Sequence, residues 1–82
     1  MKEQFEKAVA ESKQLSSKPS NEILLQLYSL YKQATAGNAP NEDPSGMFDF
    51  VAKAKYNAWS GLKGKTSEAA MQEYISLIEK LK

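Results

Sequence analysis

Between residues 37 and 48 the chain reads GNAPNEDPSGMF, 12 residues with two Pro, two Gly and two Asn, a composition that neither a helix nor a strand accommodates. A loop of that length is unusual in a chain of only 82 residues, and helical patterns lie on both sides of it. It is long enough to cross the end of a helical bundle. The helices before and after it can therefore run in the same direction instead of folding back on each other as a tight hairpin.

The flanking patterns are all of one kind. Residues 3–15, EQFEKAVAESKQL, place Phe5, Ala8, Val9, Ser12 and Leu15 at spacings of three and four, which predicts a first helix with one narrow apolar face. Ser16-Ser17-Lys18-Pro19 breaks it. Ser20 or Asn21 can then accept a first-turn N–H, with Glu22 near the positive end of a second helix. From about Glu22 to Ala36 that helix sets Leu24, Leu27, Tyr28, Tyr31 and Ala34 along one flank, and Gly37 supplies its stop. Beyond the loop, Asp49 is placed to cap a third helix from Phe50 to about Gly61, with Ala52, Tyr56 and Trp59 on one face and Lys53 and Lys55 displayed from others. Thr66 is the expected cap of a fourth, where Met71, Tyr74, Ile75, Ile78 and Leu81 form the clearest amphipathic stripe of the chain. No strand and no repeat is visible. The pattern predicts an all-α fold, a four-helix bundle with one long connection between helices 2 and 3.

Composition narrows the chemistry. The chain has neither His nor Cys, which removes most zinc sites, thiol nucleophiles and the commonest general base. An enzyme is not expected. Glu42-Asp43 and Asp49 lack the spacing of a calcium loop, and Gly61-Leu62-Lys63-Gly64-Lys65 matches no phosphate-binding loop, so no metal or cofactor is expected either. Eleven Lys, no Arg and 10 acids give a net charge of +1, a poor match to nucleic acid. The N-terminus runs into a charged amphipathic stretch and no run approaches 18 apolar residues, so a cytoplasmic protein without membrane insertion is expected.

Two clusters stand out. Tyr28, Tyr31 and Lys32 fall at i, i+3 and i+4 on the second helix, projecting two phenol hydroxyls and an ammonium from neighbouring positions. Between Phe50 and Thr66 four lysines, at 53, 55, 63 and 65, stand without an acid. Tyrosines at a core rim and a solvated lysine face are the plain readings of each. Were the two helices neighbours, the same groups would line a pocket suited to a phosphate.

The segments Leu27 to Gly37 (LYSLYKQATAG), Lys53 to Trp59 (KAKYNAW) and Met71 to Ile75 (MQEYI) resemble the acyl-CoA-binding protein family, with Phe5, Lys13, Lys18-Pro19 and Gly46-Met47 also in register. The resemblance covers almost the whole chain. It implies one acyl-CoA-binding domain over residues 1–82, with an overhand connection between helices 2 and 3. It also implies a carrier of medium- to long-chain fatty acyl-CoA that buffers, protects and delivers the thioester to lipid-metabolising enzymes, as a monomer in transient contact with them. The family's polar site falls on Lys13, Tyr28, Tyr31, Lys32, Lys55 and Tyr74. Lys32 and Lys55 would neutralise the ribose 3′-phosphate, Tyr28 and Tyr31 would donate hydroxyl bonds, Tyr74 would lie beside the adenine and Lys13 would face the CoA phosphates. Ala8, Val9, Leu24 and Leu25 are the candidates for the acyl groove. Two positions depart from the family pattern: Val51 stands where lysine is frequent, and Ser12 where an apolar residue is usual. The competing readings are a helical interaction module gripping an acidic peptide and an acyl-CoA hydrolase, which would need a water-activating group the sequence does not display.

Overall fold

Four helices, α1 (Lys2–Ser12), α2 (Asn21–Ala36), α3 (Phe50–Ser60) and α4 (Ser67–Leu81), follow one another in a computed structural model that describes residues 2–41 and 49–82. The central part of the predicted loop, including Glu42-Asp43 and Gly46-Met47, lies outside the described residues. Each of the last three helices starts at a side-chain cap. Ser20 Oγ accepts from the Ile23 N–H at 3.3 Å, Asp49 Oδ1 from Ala52 at 3.0 Å and Thr66 Oγ1 from Ala69 at 3.1 Å. Gly37 closes α2 at φ +83°, a backbone conformation that side chains resist.

The contacts between helices fix their directions. Tyr28 meets Lys55 near the middles of α2 and α3, and Lys32 and Gly37 both meet Trp59 further toward their ends, so these helices run parallel. Gln33, late in α2, bonds the carbonyl of Lys65 just before α4, which makes α2 and α4 antiparallel. Lys82 at the end of α4 pairs with Glu11 at the end of α1 at 2.8 Å, so α1 runs with α4. Parallel α2 and α3 require the chain to return along the bundle. Thirteen residues, 37–49, span up to about 43 Å, against roughly 24 Å for the 16 residues of α2, so the overhand connection is comfortably long.

The core forms where α2 and α1 pack on α4. Phe5, Ala8, Leu27, Leu30, Ala34, Ala70, Tyr74 and Ile78 make it up, with Val9, Met71, Ile75 and Leu81 packed against them. The predicted α4 stripe is thus the buried face. On α2 the expected single flank is split: Leu27, Leu30 and Ala34 face α4, whereas Tyr28 is half-buried and Tyr31 exposed. An inner helix between two partners needs two faces, and Leu30, off the predicted flank, belongs to the one that meets α4.

α1 ends at Ser12 rather than at Leu15. Ser12 Oγ donates to the Val9 carbonyl at 2.6 Å, the acceptor that the Lys13 N–H would use in a continuing helix. Lys13 turns instead to Ala10 at 3.2 Å and Gln14 to Glu11 at 2.9 Å, a tightened turn that unwinds the chain.

Gln33 is the polar centre of the fold. It is fully buried, and its Nε2 donates to Asn38 Oδ1 at 2.9 Å and to the Lys65 carbonyl at 2.8 Å, while Asn38 Oδ1 also accepts from the Gly64 N–H at 3.0 Å. One amide therefore joins the end of α2, the start of the long connection and the turn into α4. Replacing it with alanine removes both bonds and opens a cavity, so Gln33→Ala should destabilise the protein by about 2–4 kcal/mol in urea unfolding; a loss below about 0.5 kcal/mol would show that the tie is dispensable.

Candidate ligand-binding site

The parallel alignment of α2 and α3 brings two i, i+4 pairs into register. Tyr28 and Lys32 lie one turn apart on α2, and Lys55 and Trp59 one turn apart on α3. Each ammonium lies over the ring of the facing helix: Lys55 Nζ is 5.3 Å from the centroid of Tyr28, and Lys32 Nζ is 5.0 Å from that of Trp59. None of the ion pairs among the described residues involves Lys32 or Lys55; the three present are Lys65 with Glu73 and Lys82 with Glu11 and Glu79. The four-lysine cluster of the sequence is thereby divided: Lys65 is paired, Lys53 and Lys63 face solvent, and Lys55 joins the tyrosines.

Trp59 is itself pinned. Its Nε1 donates to the Gly37 carbonyl at 2.8 Å, and the Tyr56 hydroxyl donates to the Pro40 carbonyl, so α3 grips the first residues of the long connection.

Two clefts open beside these groups. One, of about 390 Å³, lies between the starts of α2 and α3, lined by Asn21, Leu25, Phe50, Val51, Ala54 and Lys55. Its walls are mostly apolar, and Phe50 and Val51 are 76% and 67% exposed. The other, of about 550 Å³, lies between α1, α2 and the start of α4, with Phe5, Val9, Tyr31, Ala34 and Met71 on its walls and Lys2, Glu6, Thr35 and Ser67 completing it.

The structure distributes the predicted residues unequally. Tyr28, Lys32 and Lys55 converge on one face. Tyr31, 41% exposed, stacks on Phe5 at 6.0 Å and faces the larger cleft. Tyr74 is only 4% exposed, set edge-on beneath Phe5 at 5.2 Å. Lys13 is exposed just past the end of α1. The four groove candidates do not share a groove: Val9 lines the larger cleft, Leu25 the smaller, Leu24 is half-buried, and Ala8 is 3% exposed on the α4 side of α1. Phe50 and Ala54 were not singled out by the sequence reading. Their i, i+4 spacing beside the Val51–Lys55 pair was the available signal. The role of Trp59 was hidden too, because it depends on which helix lies opposite.

Chemically, the α2–α3 face presents two cations without an acidic partner among the described residues, a phenol and an adjoining apolar trough. That combination suits a ligand with an anionic head and an alkyl tail. Among the described residues no helix is long and apolar enough to cross a membrane.

The family described as acyl-CoA-binding protein matches residues 2–78 of the chain. An acyl-CoA-binding protein homolog of Drosophila melanogaster is 48% identical over 79 residues, covering 96% of this chain and 91% of the relative. The acyl-CoA-binding protein of Saccharomyces cerevisiae is 46% identical over 77 residues, covering 94% and 87%. Among solved structures, the crystal structure of Oryza sativa acyl-CoA-binding protein 2 superposes with a TM-score of 0.88 at 39% identity, covering 98% of this chain and 88% of that one. The solution structure of the yeast acyl-coenzyme A binding protein gives 0.74 at 45% identity, covering 94% and 88%.

Tyr74 gives this site a pH signature. Burial pushes its phenol above the ordinary 10.0, the nearby Ser12 hydroxyl pulls it partly back, and the neighbouring Tyr31 raises it again. With the folded-state pKa raised, the native chain keeps a proton that the unfolded chain has released, so this stability is complete below about pH 10 and is lost as pH rises through the folded value. Tyr74→Phe removes the effect. Urea unfolding of the variant should decline less steeply above about pH 10 than that of the parent; parallel declines would place the Tyr74 hydroxyl in water.

Proposed function

Because the chain belongs to the acyl-CoA-binding protein family, we propose that it is a cytoplasmic carrier that binds medium- to long-chain fatty acyl-CoA without reacting on it. It buffers and protects the thioester and delivers it to lipid-metabolising enzymes, acting as a monomer that meets those enzymes transiently. The observation that carries this reading is the pair Lys32 and Lys55, held over aromatic rings along the α2–α3 seam, with Lys55 lining its apolar cleft.

Each half of the ligand has a counterpart. Lys32 and Lys55 neutralise the ribose 3′-phosphate, with the Tyr28 hydroxyl donating to the same group and the Tyr31 ring supporting the nucleotide. Lys13 faces the remaining CoA phosphates. Tyr74 acts from beneath, holding Phe5 against Tyr31. The acyl chain enters the trough of Leu25, Phe50, Val51 and Ala54, where it covers Phe50 and Val51, the most exposed large apolar side chains among the described residues. Each methylene removed from water there contributes up to about 0.8 kcal/mol.

Hydrolysis is disfavoured because, among the described residues, no group suited to activating water lines the α2–α3 cleft. Among the described residues no carboxylate lines it, and the chain has no His or Cys. No cofactor is needed for holding a ligand.

Calorimetry with palmitoyl-CoA, CoA and palmitate tests the reading. Palmitoyl-CoA should bind far more tightly than either fragment, and affinity should climb with chain length until the trough is filled. Phe50→Ser should flatten that climb while leaving the affinity for CoA itself within about twofold, since it removes apolar wall and no charge. Equal affinity for CoA and palmitoyl-CoA, or for an acidic peptide and palmitoyl-CoA, would contradict it.

A further inference from the structure

The anion-binding lysines differ from every paired lysine among the described residues in what lies behind them. Lys65 and Lys82 have carboxylates, whereas Lys32 and Lys55 have ring faces. The distinction matters for a phosphate. A carboxylate partner cancels the charge and must be displaced before an anion can bind. An aromatic face attracts the ammonium through its quadrupole but leaves the full positive charge available on the open side. It also restricts a side chain that otherwise loses much rotamer freedom on binding.

Of the two rings, that of Trp59 is the better fixed. Its Nε1 is bonded to the carbonyl of Gly37 at 2.8 Å, and Gly37 is the residue whose φ of +83° ends α2, the helix that carries Lys32. The ring is therefore referenced to the same helix end as the ammonium it carries. Tyr28, on the other side, is itself a hydroxyl donor toward the ligand, so its two roles cannot be separated by substitution. Trp59 has no such second role.

We propose that Trp59 is a positioning residue for the ligand phosphate, its ring face holding the Lys32 ammonium aimed at the anion and its Nε1–Gly37 bond holding the ring. The proposal rests on the reading that Lys32 meets the 3′-phosphate. It goes further in assigning part of the discrimination for that phosphate to a residue that does not touch it.

The decisive quantity is the ratio of affinities for palmitoyl-CoA and for palmitoyl-CoA lacking the 3′-phosphate, measured beside thermal melting for the parent, Trp59→Phe and Trp59→Leu. The parent should prefer the phosphorylated ligand. Trp59→Leu, which keeps apolar bulk but has no ring face, should shrink the preference by about three- to tenfold, and Trp59→Phe should keep most of it. A merely structural tryptophan would lower the melting temperature and leave the ratio unchanged, which would overturn the proposal. A parent that does not distinguish the two ligands would overturn the phosphate assignment first and the proposal with it, and the parent arm alone reveals that case. Should Trp59→Leu fail to fold, the ligand-free parent still decides. The ε-methylene protons of Lys32 should resonate upfield of their random-coil position because of the indole ring current, and random-coil shifts would show that the ring does not hold the side chain.

Discussion

Parallel packing of α2 and α3 is the constraint from which the rest of the molecule follows. Neighbouring helices joined by a short turn run antiparallel, and the start of one then meets the end of the other. Here Tyr28 meets Lys55 and Lys32 meets Trp59, pairings that exist only because both helices run the same way. The same alignment brings Leu25 beside Phe50 and Val51 at the other end of the seam. A long connection is its necessary consequence, and the Trp59 and Tyr56 bonds to Gly37 and Pro40 fasten the beginning of that connection to α3.

The helices divide their labour along this line. α4 receives α1 and α2 and carries the core residues Ala70, Tyr74 and Ile78. α3 packs on α2 alone among the described helices and contains no buried residue. Its attachment rests on rings, ammonium groups and two side-chain bonds to backbone carbonyls rather than on interior packing. A helix held this way can leave apolar side chains in solvent at low structural cost. Phe50 and Val51 are exposed for the same reason that the adjoining cleft can admit an alkyl chain.

Much of this was legible in the sequence, and what was not has a physical explanation. Caps at Asp49 and Thr66 and the stripe on α4 are local features, decided within a turn or two and legible directly, and the α2 cap at Ser20 is one of the two adjacent candidates, Ser20 and Asn21, that the sequence offers. The parallel seam was inferable from the length of the 37–48 segment. Leu30 lies off the flank that the periodicity picks out, because periodicity reveals one apolar face and an inner helix has two. The 3–15 spacing carries the first helix through Leu15, because spacing holds no information about a hydroxyl such as that of Ser12 competing for a helical carbonyl. Within the site, Tyr28, Lys32 and Lys55 were named from residue type and spacing together with family resemblance. The spacing of Phe50 and Ala54 beside Val51 and Lys55 offers only a weak signal, and the part of Trp59 depends on which residues of α2 stand opposite. The scatter of Ala8, Val9 and Leu25 has the same origin: one helix offers small apolar residues to several neighbours.

The central claim is that one seam between parallel helices holds both ends of the ligand. Intermolecular NOEs in a complex of the protein with palmitoyl-CoA test it most directly. The account predicts contacts from acyl methylenes to the Phe50 ring and the Leu25 methyls, and from the ribose protons beside the 3′-phosphate to Lys32 and Tyr28. Acyl contacts confined to Val9, Met71 and the larger cleft, with Phe50 and Leu25 unperturbed, would contradict it.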